Sequence, residues 1–184
     1  MRMTCSVLGR AVVAALVLVV GASAASQAQA PPDTKGWHGA EWGMTKDQVR
    51  AAVGLGPLTQ DARRPDAPHE DALVLASTPI GRYPASVRFL FDGEQKLRAI
   101  ALDFSTADAY EFLHDELVAR YGAPIRDESH RDDSPRSLDY LEMCDSQWLL
   151  PSTKIGCSSL VTVVGGKKTE LMEVLYSRRE SAIL

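Results

Sequence analysis

The chain of 184 residues lacks the signatures by which enzymes are usually recognised. It has no GxSxG, no HExxH and no Gly-rich phosphate loop, so no nucleophile is paired with a base and no motif cradles a nucleotide. Cysteine is scarce, at three residues, and no CxxC or HxxxH pattern accompanies it, which leaves zinc without a ligand set. Basic residues do not outnumber acidic ones: 20 Lys and Arg stand against 24 Asp and Glu. Without a clustered basic footprint there is no case for nucleic acid or for an anionic lipid surface. No apolar run reaches the ~20 residues that a membrane helix needs.

What is present begins at the start. Arg2 and Arg10 lead into Ala11–Val20, an unbroken apolar run, and Gly21 opens a zone of small residues. This is the pattern of a secretory signal peptide over residues 1–30, with cleavage near 24–30; Ala24 and Ala28 are the favoured sites. Cys5 precedes the apolar run, so it is not placed for lipidation and no stable membrane anchor is expected. The mature chain is then periplasmic or secreted and works without ATP or cytosolic cofactors. Losing Arg2 and Arg10 leaves 18 basic against 24 acidic residues, a net charge of −6. About 150 residues remain, enough for one domain with its own core.

Residues 31–41 read as a loose, Pro-containing lead-in. Thr45-Lys46-Asp47-Gln48 is a capping box, and Val49, Ala52 and Val53 form the apolar stripe of a short helix that Gly54 and Gly56-Pro57 end. Leu58 to Asp71 reads as a loop. Ala72–Ser77, Ser86–Phe91 and Leu97–Phe104 read as strands, the second with Val87, Phe89 and Phe91 alternating against Arg88 and Leu90. Ser105 or Thr106 caps a second helix carrying Tyr110, Leu113, Leu117 and Tyr121, ended by Gly122-Ala123-Pro124. Ile125 to Arg136 reads as charged and flexible. Three strands follow, Leu138–Leu149, Ile155–Val164 and Glu170–Ser177, and residues 179–184 form a frayed tail.

The order is helix, three strands, helix, three strands, and each helix ends on Gly followed by Pro. A duplication is therefore expected, with units at 42–104 and 105–178. Trp42-Gly43-Met44-Thr45, then Val49, Gly54 and Pro57, resembles the opening of SmpA/OmlA-type envelope modules. The resemblance implies an α+β fold: two helix-plus-three-stranded antiparallel units in tandem, forming one compact domain, as in the β-lactamase inhibitor protein (BLIP)-like architecture. It does not imply inhibition of β-lactamase, because contact residues cannot be matched.

Cys144 and Cys157 form an even pair in an oxidising compartment and are expected to be disulfide-bonded. A hairpin centred between Leu150 and Pro151 places them directly opposite one another. Trp148 shares their strand parity. His38, His69, His114 and His130 are scattered, and the acidic pairs beside them read as surface charge. Trp42 reads as packing beneath the first helix, whereas Trp37 is left between core and exposed patch. No catalytic, metal or cofactor residue is assigned. The leading expectation is a non-catalytic protein-binding or envelope scaffold protein, inhibition of a partner included. Its partner is another envelope or extracellular protein, gripped through Arg88, Leu90 and Trp37 and through the loops Thr59–Asp71 and Arg126–Arg136. The alternatives are a small secreted hydrolase using the histidines and a carrier of a lipid or cell-wall ligand held between helix and sheet.

Overall fold

Alternation of apolar and polar residues dominates the chain, and the computed structural model resolves it into strands. It describes residues 32–54, 57–60, 71–133 and 139–180. The leader, His69 and most of the loop around it, and the last four residues lie outside the described residues.

The first elements are two short strands, β1 (Gly36–Trp37) and β2 (Ala40–Glu41), and helix α1 (Lys46–Ala52). The capping box is formed in full. Thr45 Oγ1 accepts from the Gln48 N–H at 3.4 Å, and Gln48 Oε1 accepts from the Thr45 N–H at 2.9 Å. Strands β3 (Thr59–Gln60), β4 (Asp71–Ile80), β5 (Tyr83–Phe91) and β6 (Leu97–Phe104) precede helix α2 (Ala109–Tyr121). Then come β7 (Arg126–Asp133), β8 (Tyr140–Leu149), β9 (Thr153–Val164) and β10 (Lys167–Arg178). All but β1 and β2 join one antiparallel sheet of eight strands, in the order β3-β4-β5-β6-β10-β9-β8-β7.

That order corrects the expected fold. The protein is mostly β, and it is not two helix-plus-three-strand units. β6 pairs directly with β10, so Leu102 lies opposite Val174 and Ile100 opposite Tyr176. One row of side chains consequently runs unbroken across the sheet: Leu73, Phe89, Ile100, Tyr176, Ile155 and Trp148. These residues are buried, as are Val87, Leu102, Phe104, Leu113 and Leu117, in a single cluster beneath the two helices. The helix ends differ too. Gly122 takes the left-handed conformation (φ 81°) that a C-cap glycine permits, whereas the first helix closes on Val53 in extended geometry.

Two further expectations give way. Within the segment expected to be flexible, Arg126–Asp133 is a strand that pairs along its length with β8. The lead-in is fastened: the Ser152 N–H donates to Asp33 Oδ1 at 3.1 Å, and Ser152 Oγ donates to the Thr34 carbonyl at 3.1 Å. At the other end, the Arg179 guanidinium donates to the Leu150 carbonyl at 2.8 Å. No helix among the described residues is long and apolar enough to cross a membrane.

Phe89 is 0% exposed at the centre of the long row. Phe89→Ala should lower unfolding free energy by about 3–5 kcal/mol, measured by urea denaturation. A loss under about 1 kcal/mol would show that the row does not carry the core.

Candidate functional site

Three places merit examination: a cleft on the helix-covered face, a polar cluster beneath α2, and the helix-free face.

The cleft is walled by the β1–β2 hairpin on one side and α2 on the other. The hairpin turns at His38 and Gly39, both with positive φ (46° and 85°), as a two-residue primed turn requires. Glycine is demanded at Gly36, where a Cβ would lie 1.8 Å from the Ala40 carbonyl oxygen. Trp37 packs on Phe89 with centroids 6.1 Å apart, and His38 meets the Trp37 ring edge-on at 4.2 Å. Trp42 anchors the hairpin's far end, its indole N–H donating to Thr153 Oγ1 at 2.9 Å. Between hairpin and helix opens a space of about 660 Å³. Leu102, Val174 and Tyr176 form its floor, Leu113 and Leu117 its apolar wall, and Lys35, His38, Glu41, Glu116 and Arg120 its rim. Burial pushes the Tyr176 phenol far above its ordinary range, so it stays protonated. The volume falls within the range of small-molecule sites.

The polar cluster gathers residues that sequence reasoning did not connect. Ser146, fully buried, donates to Asp127 Oδ1 at 2.6 Å, and Tyr110 Oη lies 2.7 Å from Ser146 Oγ. His114 Nε2 stands 3.5 Å from the other Asp127 oxygen, and its ring packs against Tyr110 and Trp148 at 5.8 Å each. Serine, histidine and aspartate meet here, but in the wrong order for nucleophilic catalysis. The serine proton points at a carboxylate, a weak base at neutral pH, and no substrate reaches a hydroxyl with no exposed surface. The arrangement satisfies the buried Ser146 hydroxyl, whereas the buried His114 Nε2 is left without a hydrogen-bond partner. Burial, first among the causes, pushes the Tyr110 phenol up to about 12.

The cysteines adjoin this cluster, and the expected register is corrected. Cys144 lies opposite Ser159, and Cys157 lies opposite Ser146. The pair is diagonal, where α-carbons sit ~7–8 Å apart, beyond the usual span of a disulfide. Both are free thiols. Burial is the main reason that the Cys157 thiol is pushed up to about 12. Among the described residues, no group of three or more His, Cys, Asp or Glu is placed to hold a metal ion.

On the helix-free face, Arg88 donates to both Asp103 oxygens, at 2.6 and 2.9 Å, and to Glu173 at 3.0 Å. Leu90, expected as a contact residue, is buried with Ala72 and Ala99. The large apolar side chains exposed there include Met143, Leu149, Val164 and Leu171. Met143, Leu160 and Leu171 stand opposite one another across three strands. The available signal was apolar residues at the outward-facing positions, Met143 on β8, Leu160 on β9 and Leu171 on β10. Of the sequence-derived candidates among the described residues, Trp37 and His38 reach the cleft, whereas Arg88 and Leu90 lie on the opposite face. His130 sits on the exposed β7.

No protein-family model, no curated protein and no solved structure matches the chain.

Two expectations follow for the thiols and phenols. Alkylation mapped by mass spectrometry should modify Cys144 in the native protein and Cys157 only after denaturation, without any reductant; failure of both to label in denaturant would establish a bond between them. Because the folded state holds the Tyr110 proton to about 12 against an ordinary 10.0, folding stability should fall as pH rises through that interval. Tyr110→Phe should make that alkaline limb shallower by one group's share in denaturation curves, the part due to Cys157 and Tyr176 remaining.

Proposed function

We propose that this is an exported, non-catalytic binding protein whose cleft holds a small amphipathic molecule, the apolar body against the sheet and a polar end at the rim. The observation that carries the reading is the lining: Leu102, Val174, Leu113 and Leu117 inside, and charges of both signs at the mouth. Such a site suits an acyl or aromatic envelope component better than a highly charged metabolite. Export rests on the Arg2–Ala30 leader pattern. The expected location is the periplasm or the exterior, and intact mass of the recovered protein should begin after Ala24 or Ala28.

The test uses N-phenyl-1-naphthylamine, whose emission rises in apolar surroundings. One saturable site per chain is expected. Glu116 is exposed on the cleft rim, so Glu116→Trp places a ring in the opening without disturbing the core. It should weaken probe binding at least about tenfold with the melting temperature unchanged. Binding that survives this substitution would remove the cleft from consideration.

A second reading, grip on another envelope protein, is favoured by the strip of Met143, half-buried Leu160 and Leu171, whose outer two members are exposed. Exposed apolar side chains in a row are a feature of protein contact surfaces.

A further inference from the structure

An eight-stranded open sheet has two edges. At one, β3 covers β4 through only Thr59 and Gln60. At the other stands β7, whose eight residues are all exposed and whose outer side is unpaired among the described residues.

Backbone directions on that edge follow from two hydrogen bonds. The Leu150 N–H donates to the Thr153 carbonyl, so even-numbered residues of β8 face β9. The Gln147 carbonyl accepts from the Ile125 N–H, so odd-numbered residues of β8 face β7. Gln147 stands opposite Arg126. The even-numbered residues of β7 are therefore bonded inward, and Asp127, Ser129, Arg131 and Asp133 turn their N–H and C=O groups outward.

The charges on this strand are arranged about its middle. Reading outward from Ser129, Glu128 is matched by His130, Asp127 by Arg131, and Arg126 by Asp132. If a second copy lies antiparallel with Ser129 opposite Ser129, Asp127 meets Arg131 and Arg126 meets Asp132, while Glu128 meets the imidazole of His130. A slip of two residues one way sets Glu128 against Glu128 and Arg126 against His130. The same slip the other way sets Glu128 against Asp132 and Asp127 against Asp133. Slips of one residue pair an outward backbone group with an inward one. Charge on an edge strand ordinarily blocks pairing; on this edge it blocks every neighbouring register and leaves one open. The ion pairs now on the strand, Arg126–Glu128 at 2.5 Å and Arg131–Asp133 at 3.0 Å, are solvent-exposed and exchange readily for others.

We propose that the protein forms a twofold-symmetric dimer by antiparallel pairing of β7 with β7 of a second copy, centred on Ser129, which joins two eight-stranded sheets into one. The axis stands perpendicular to the sheet, so the helices of both copies lie on the same side. The contact is a single strand pair, small for a permanent interface, and a dissociation constant of about 1–100 μM is expected.

Sedimentation equilibrium of the purified protein from about 1 to 500 μM spans that range. A monomer–dimer equilibrium that weakens with added salt is expected. Arg126→Asp sets aspartate against aspartate at both ends and should weaken association at least about tenfold. Adding Asp132→Arg restores opposite charges and should recover the original dissociation constant within about threefold. Ser129→Pro deletes an outward N–H that no strand among the described residues uses, so it should abolish the dimer while circular dichroism shows the fold retained. A protein that stays monomeric throughout, or a dimer indifferent to Arg126→Asp, would overturn the proposal. Should Ser129→Pro fail to fold, the charge exchange alone decides. None of these variants touches the cleft, so the outcome is independent of the ligand reading.

Discussion

The pairing of β6 with β10 is the constraint on which the rest depends. It fastens two stretches of chain that are remote in sequence, and six opposed residue pairs hold it, from Met172–Phe104 to Ser177–Ala99. Because Leu102 meets Val174 and Ile100 meets Tyr176 there, the two halves share one core. Leu102, Val174 and Tyr176 are also the floor of the cleft. Contacts so distant in the chain close large loops before they stabilise anything, and the seam therefore counts among the later and more demanding steps of assembly. Its disruption would dismantle core and cleft together, whereas loss of β7 would leave both.

Local features of the sequence were legible because local physics decides them. Thr45 and Gln48 at capping-box spacing specify a helix start whatever surrounds them, and the helix begins there. Val87, Phe89 and Phe91 alternate because one face of β5 is covered, and all three are buried. The start of α2 was legible in part: Thr106 Oγ1 accepts from the Asp108 N–H at 3.3 Å, but the helix itself opens only at Ala109. Asp108 makes no side-chain cap, and the Ala107 N–H is met by Glu170 Oε2 at 3.3 Å, a tertiary partner no local pattern reveals. The seam was invisible for the same reason. Two groups of three strands predict two sheets or one equally well until β6 meets β10.

The cysteine register shows a signal that was present and misweighed. Proline presets φ for the second position of a four-residue turn. Pro151 in that position makes the turn Leu150-Pro151-Ser152-Thr153, closed by the Leu150 N–H to the Thr153 carbonyl at 2.8 Å. Centring the hairpin one residue earlier moved every cross-strand partner by two, enough to set Cys144 against Cys157 instead of Ser159. Side-chain parity survives such an error, and so Trp148 still falls on the buried face. Of the candidate site, Trp37 and His38 were legible as single residues, and Leu113 and Leu117 as one face of a helix, but not their convergence. The cleft is made by bringing a hairpin near one end of the chain against a helix near its middle, and no spacing within either encodes that.

The composition of a second row across the sheet explains why one edge is free to meet a partner. From β4 it runs Leu75, Val87, Leu102, Val174, Cys157, Ser146 and Asp127. The residues are aliphatic under the helices, then a thiol, then a hydroxyl, then a carboxylate. Each step toward β7 lies farther from the centre of the core and tolerates more polarity. Ser146 is the pivot: it is fully buried, and it stays so because Asp127 and Tyr110 take its hydrogen bonds. Beyond it no apolar surface needs cover, so β7 is held by its backbone ladder to β8 and by Ser146, not by core packing. A strand held in that way can wet both faces. Asp127 apart, its side chains are then free of packing duty, and such a strand can carry a pattern of charge along its length.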